Sequence, residues 1–476
     1  MSREVLLLLL ANGLELCVGL GVVLALGLAD TSMAFAARLG LAYGLGLAVT
    51  GILDATFAIA RVAIGLPELA LLALGSLLVG LLRRSQRTAA VAQTAEPRTG
   101  STLLALGIGA ITAGLLAVAA GAYAVTPLVQ WDGWAIWGTK AQALYDFGSA
   151  NGPLFTSPAY QGIQQSYPLL LPALEATDYR AMGAVDGSVI HLQLLLFAVA
   201  FAGSLFGLLW RRAPSELIAL CVLAILAASP VLGQLGSNYA DIPLAFEIAL
   251  GVVALARWLS DDEPWLLPVA VVFLGAGVLT KNEGSMFAAA ALLPLLVYLA
   301  ARDRRRVLRL LAAAGAVAAI LIPWRIFTSL NHLTAGDIRF SNALHPELLS
   351  AHASRVAPTV QSLVDEIGGT SWGLLVPLTA LGVLAAFIAG RSALTWFAVA
   401  WLFLSFAGLV LVYWISSLPL DWYLGTSAYR IVATLVIGGA SLTPLLAADA
   451  WAESKKALHG LRRTRGRAAR PETFPA

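Results

Sequence analysis

Apolar residues run along this chain in blocks of about twenty, separated by short polar connections, over nearly all of its 476 residues. A block of that length crosses a hydrocarbon core of about 30 Å as a helix. The blocks fall at 5–28, 39–60, 65–82, 102–127, 188–209, 215–234, 240–257, 265–280, 285–301, 307–327, 372–390, 393–415 and 428–449. They predict an all-α polytopic membrane protein with a bundle of about thirteen transmembrane helices. The ten-residue alternation of a membrane β-barrel is absent. The first block, Val5 to Leu28, is longer than a signal-peptide core and lacks a strong basic flank, so it predicts a retained span.

Composition agrees with the pattern: 59% of residues are hydrophobic and 12% charged, against about 25% charged in soluble domains. The net charge of +3 is small, and the basic residues gather in short connections: Arg83, Arg84 and Arg87; Arg211 and Arg212; Arg302 to Arg306; Lys455 to Arg470. Such clusters mark a cytoplasmic side and do not suggest nucleic acid. With all four inside, the C-terminus is cytoplasmic and the N-terminus outside. Two polar segments, Trp131–Asp186 and Thr328–Ser371, then share the outer face. Loops this long are often functional. The polar linker from Gln86 to Ser101, with Glu96-Pro97-Arg98, divides the chain into an accessory unit and linker (1–100), a membrane core (101–450) and a basic cytoplasmic tail (451–476) that meets solvent or lipid. Cys17 and Cys221 fall inside predicted spans, which excludes a disulfide framework or a zinc site.

The same topology brings the unusual polar residues to one interface. Asp132 follows the fourth block; Asn238, Tyr239 and Asp241 open the seventh; Lys281, Asn282 and Glu283 separate the eighth and ninth; Trp324 and Arg325 close the tenth; Tyr429 and Arg430 start the last. Ionisable groups beside a bilayer are costly unless paired or lining a wet cavity, so this convergence predicts a site. Asp132 sits among Trp131, Trp134 and Trp137, residues that favour the headgroup level. Trp134, Trp137, Ala141 and Leu144 then recur at three and four, the pattern of a helix lying along the surface, which also carries Lys140. Plainer roles compete with these: Asp132 or Asp241 as a helix cap, Lys281 and Glu283 as a structural ion pair, Arg430 as an interfacial anchor.

Taken in order, WDGWAIWGTKA, NYADIPLAF, LTKNEG, PWR and TSAYR resemble the polyprenyl-phosphate-dependent GT-C membrane glycosyltransferases, particularly bacterial relatives of the protein mannosyltransferase and aminoarabinose transferase group. The resemblance covers about Leu103 to Leu446 and leaves out the three leading blocks. It implies a GT-C-type helical core, with short interfacial helices in the two outer loops. It implies that Asp132 is the essential carboxylate and Asp241 a second acid. Arg430, and less closely Lys281 and Arg325, would hold the lipid phosphate. Trp131, Trp134, Lys140, Asn238, Tyr239, Asn282, Glu283 and Tyr429 complete the expected substrate site. SYPLLLPALEA, Ser166 to Ala176, also looks like the bacterial members. A single acid at the first motif, and no lumenal domain, depart from the protein mannosyltransferases and weaken the case for a protein acceptor.

The chemistry expected from these residues is one inverting displacement on the outer face of the cytoplasmic membrane. The donor is a polyprenyl-phosphate sugar and the acceptor a hydroxyl of a glycan, lipid or protein. A carboxylate takes the acceptor's proton, and a cation stabilises the leaving phosphate. No glycine-rich phosphate loop points to a nucleotide donor, and no cofactor is assigned. Asp132 and Asp241 leave room for a divalent ion but bring too few oxygen ligands to require one. The competing expectation is a transporter or flippase that uses the same acids and bases as a pathway. Carriers place such groups at mid-span on broken helices, whereas here only Glu15 and Asp54 lie that deep.

Overall fold

A computed structural model describes residues 2–28, 33–86, 101–333, 340–390 and 392–468. The linker tract 87–100 with Arg87, the start of the second outer segment at 334–339, and the tail beyond 468 with Arg470 lie outside the described residues. Among the described residues every regular element is helical. Ten helices are long and apolar enough to cross a membrane: Arg3–Ala25, Phe35–Ile59, Leu66–Arg84, Thr102–Tyr123, Gly187–Leu209, Asp241–Asp261, Glu283–Ala300, Arg304–Leu330, Ala393–Ile415 and Leu420–Lys455. Two bent pairs bring the number to at most twelve.

The departures from thirteen straight spans have local causes. Ser215–Ala227 and Ser229–Leu235 meet at 62°; Pro230 lacks an N–H and clashes with the preceding turn, so the first helix stops at Ala227. Ala353–Trp372 turns into Leu375–Gly390 at 107°, through Gly373 at φ 55°, a conformation glycine adopts without penalty. Leu266–Thr280 has 15 residues and rises only about 22 Å, less than a bilayer core.

The first two leading helices pack into the same hydrophobic core as the rest, while the third lies against the first and joins a small separate cluster of Ala11, Ile64, Leu69 and Ala181. Phe35–Ile59 lies against Gly187–Leu209 so closely that a Cβ on Gly40 would stand 2.6 Å from the Cα of Gly203. Polar side chains join them further: Tyr43 donates to Asn12 at 2.6 Å, Asn12 to Gln193 at 2.8 Å, and Thr177 to Asp54 at 2.8 Å.

The two long polar segments lie at one end of the bundle. Trp324 donates from Nε1 to the Ser166 carbonyl at 3.2 Å, and Arg355 binds the carbonyls of Ser416 and Leu418. Leu8 packs with Ala141 and Tyr179, so the amino end of the chain is at this end too. At the opposite end Arg212 and Arg257 share Asp261, at 2.9 and 2.8 Å, and Arg306 meets Asp262 at 3.4 Å.

Candidate active site

The chain enters the site as a π-helix. Asp132–Gly138 winds wide and continues as the α-helix Thr139–Phe147, and single wide turns of this kind recur at functional sites. The π-turn spreads the tryptophans: Trp131 and Trp134 face outward, 64% and 45% exposed, while Trp137, Ala141 and Leu144 are buried. The stripe expected to lie on a membrane surface therefore packs into the core, and only the first two rings form an exposed rim. Gly133 makes the approach to the next element. A Cβ there would stand 1.9 Å from the Ser237 carbonyl oxygen, so only glycine lets the π-turn close on Gly236–Asn238. Asn238 occupies φ 54°, which asparagine tolerates, and its Nδ2 reaches back to the Gly133 carbonyl at 3.5 Å.

Asp132 does not cap a helix. Its carboxylate receives Nη1 of Arg430 at 2.5 Å, an ion pair between residues almost 300 positions apart. Arg430 reaches it from the helix Leu420–Ile431 with its guanidinium 4.6 Å over the Tyr239 ring and 5.8 Å from that of Tyr429. Among the described residues its Nε is buried without a hydrogen-bond partner.

Beside this pair lies a second one. Asp241, in the first turn of its helix, takes Nζ of Lys281 at 2.8 Å, and Glu283 stands 3.4 Å from the same ammonium. Burial works against that ammonium, but the two carboxylates outweigh it and hold the Lys281 pKa above its ordinary value. Asn282 is buried next to it with its Oδ1 unpaired. The Tyr167 ring links the π-turn to the second pair: it stacks on Trp137 at 5.6 Å and 3°, and carries the Lys281 ammonium 5.6 Å from its centre.

Two of the expected residues lie elsewhere. Lys140 is fully buried, with Nζ 2.6 Å from the Gln164 carbonyl and 3.5 Å from that of Tyr167. Burial lowers its pKa to about 7. It braces the loop that holds Tyr167, its ammonium lies 5.7 Å from the centre of that ring, and among the described residues it makes no ion pair. Arg325 is on the outer surface of Arg304–Leu330 beside Ile322, Ile326 and Ser329, and among the described residues it makes no ion pair. The other expected residues, Trp131, Trp134, Asn238, Tyr239, Asn282, Glu283 and Tyr429, border the two pairs.

Sequence reasoning missed the helix behind the site. Leu170–Met182 is buried almost throughout and carries Glu175 and Asp178, both fully buried, with all four oxygens unpaired. Burial raises Glu175 to about 8, and Asn238, close by without a bond of ordinary geometry, partly opposes the rise. Burial and the nearby Glu15, Glu175 and Asp54 push Asp178 well above the usual range. The signal was available as two acids three apart, Glu175 and Asp178, in ALEATDYRAM after SYPLLLP.

Among the described residues no three His, Cys, Asp or Glu side chains gather as a metal-holding group. His352 instead meets the Trp414 carbonyl through Nδ1 at 3.1 Å. Asp132 and Asp241 are each taken by a cation of the protein. The arrangement brings together a partly exposed carboxylate, two cations each paired with acids, and an aromatic rim.

Comparison with known families supports a membrane glycosyltransferase in general terms. The family described as dolichyl-phosphate-mannose-protein mannosyltransferase, which belongs to the GT-C superfamily, matches residues 168–327. The match takes in Asn238, Tyr239, Asp241, Lys281, Glu283 and Arg325, about a third of the chain, and leaves out Asp132 and Arg430. No curated protein and no solved structure matches the chain.

Proposed function

We propose that the protein transfers a sugar from a polyprenyl-phosphate donor to an acceptor hydroxyl, at the extracytoplasmic face of the cytoplasmic membrane, by one inverting displacement. The observation that carries this reading is the pairing of Asp132 with an arginine whose Nε remains buried and unused. A buried N–H without a partner calls for an explanation, and a phosphate oxygen is the acceptor that a guanidinium fits best.

Asp132 is the base. It takes the proton of the acceptor hydroxyl as the oxygen attacks the anomeric carbon. Arg430 holds the phosphate on which charge builds as the bond breaks, with Lys281 as the second cation. Asp241 and Glu283 keep Lys281 in place. Trp131, Trp134 and Tyr429 offer flat apolar faces to the donor lipid or its sugar, at the depth where tryptophan settles in a bilayer. A divalent ion would have to displace Arg430 or Lys281 from these carboxylates.

The name of the matched family denotes a lipid-phosphate mannose donor and a protein acceptor. The donor proposed for this chain shares the lipid phosphate of that name, and its acceptor is a hydroxyl of a glycan, lipid or protein. The test is the mass of the lipid that co-purifies with the detergent-extracted protein. A polyprenyl phosphate or its glycosylated form is expected, and bound lipid that is phospholipid alone would contradict the donor assignment.

A further inference from the structure

We infer that Asp132 and the donor phosphate compete for one guanidinium, so that the carboxylate which takes the acceptor's proton also regulates the hold on the lipid phosphate. This inference rests on the function proposed above and concerns the same site. Four observations carry it. Arg430 is the one polar side-chain partner of Asp132 among the described residues. The pair joins the π-turn to the helix Leu420–Ile431, so it is a tertiary contact and not a by-product of local geometry. Lys281 is already held by two carboxylates, Asp241 and Glu283, whereas Arg430 contacts one, so Arg430 is the cation better able to change partner. Finally, Tyr239 lies under the guanidinium at 4.6 Å and fixes its place, so a phosphate must come to it.

The charge balance of the reaction makes the competition productive. The acceptor oxygen bonds to the anomeric carbon and its proton passes to Asp132. The bond from that carbon to the phosphate oxygen breaks, and its electron pair stays on the phosphate. Before the step the carboxylate and the phosphodiester each carry one negative charge. Afterwards Asp132 is neutral and the phosphate monoester carries both. Arg430 therefore serves the carboxylate before transfer and the phosphate after it, without moving. When Asp132 later loses its proton to water, it recaptures Arg430 and helps to expel the lipid product.

The consequence is that removing the catalytic carboxylate tightens lipid-phosphate binding. Without Asp132 the arginine is a nearly buried charge that has lost its contacting carboxylate and keeps only the longer-range attraction of Asp241, a state that a phosphate relieves. The test is the affinity of a short-chain polyprenyl monophosphate for wild type, Asp132→Asn, Asp132→Ala, Arg430→Ala and the Asp132→Asn/Arg430→Ala double variant, with the uncharged polyprenyl alcohol as control.

Both Asp132 variants are expected to bind the monophosphate about three- to tenfold tighter than wild type. Arg430→Ala should bind it about tenfold more weakly or worse, and the double variant should resemble Arg430→Ala. The alcohol should bind all five alike, which shows that the groove is intact and the effect is one of charge. Unchanged or weaker binding by both Asp132 variants, beside a loss in Arg430→Ala, would overturn the competition and leave the proposed function standing. Unchanged binding by Arg430→Ala would instead remove Arg430 from the phosphate site, and the proposed function would lose its main support.

Discussion

Gly133 separates the proposed base from the segment that carries Asn238 and Tyr239, and its missing side chain is what allows the two to touch. A methyl group there would meet the Ser237 carbonyl at 1.9 Å, a backbone atom that cannot rotate away. Overpacking of this kind costs about 1–3 kcal/mol, and here the strain would move Asp132 relative to Arg430. Gly133→Ala is expected to leave the protein extractable and folded while lowering its transfer rate at least tenfold, because small misplacements of reacting groups are expensive. A rate near wild type would mean that the π-turn does not set the geometry. At this scale the sequence was informative about which residues matter, since an acid among tryptophans and an arginine opening an apolar run are both costly near a bilayer. It was silent about their pairing. Nothing in WDGW or TSAYR says that Asp132 and Arg430 meet, because that contact depends on how two distant elements converge.

The elements behind the site explain why it is rigid. Leu170–Met182 is wrapped by the first two helices, by the helix Thr139–Phe147 that follows the π-turn and by Leu266–Thr280, and among the described residues no cation pairs with its buried Glu175. Folded, Glu175 keeps its proton up to about pH 8; unfolded, it would release it near 4.5. A raised folded pKa contributes stability that is fully present below the unfolded value and is lost as pH rises through the folded one. Thermal stability of the wild type should therefore fall between about pH 4.5 and 8 by an amount that Glu175→Gln removes. Asp178 acts in the same direction and remains in the variant, so the slope should shrink without vanishing. Lys140 acts in the opposite direction above pH 7, and the comparison cancels it. Equal melting profiles at pH 5 and pH 9 for the two proteins would show that Glu175 is ionised in the fold. Periodicity made most helices legible here, but it did not reveal the π-turn, whose two glycines resemble ordinary helix ends. It also placed Trp137, Ala141 and Leu144 on a surface, because one apolar stripe fits lipid and protein core equally well.

Across the whole molecule the helical membrane class follows from hydropathy, while the number of crossings does not, since a proline bend and a fifteen-residue helix read as ordinary apolar blocks. The fold gathers both polar segments and the amino end at one end of the bundle, and the paired arginines at the other. Which end faces outward is a matter for labelling. In a background with Cys17 and Cys221 replaced by alanine, Tyr160→Cys should react with an impermeant maleimide on intact cells, and Arg302→Cys only after permeabilisation. The reverse result would place the site in the cytoplasm. The central claim is that Asp132 takes the acceptor's proton during transfer from a lipid phosphate, and it is tested most directly by single-turnover transfer. Purified protein is loaded with a polyprenyl-phosphate sugar and mixed with envelope material as acceptor, and the release of polyprenyl monophosphate is followed over time. Wild type should release monophosphate in step with sugar transfer, and Asp132→Asn should hold the loaded donor and release almost none. Release by Asp132→Asn at the wild-type rate would contradict the account.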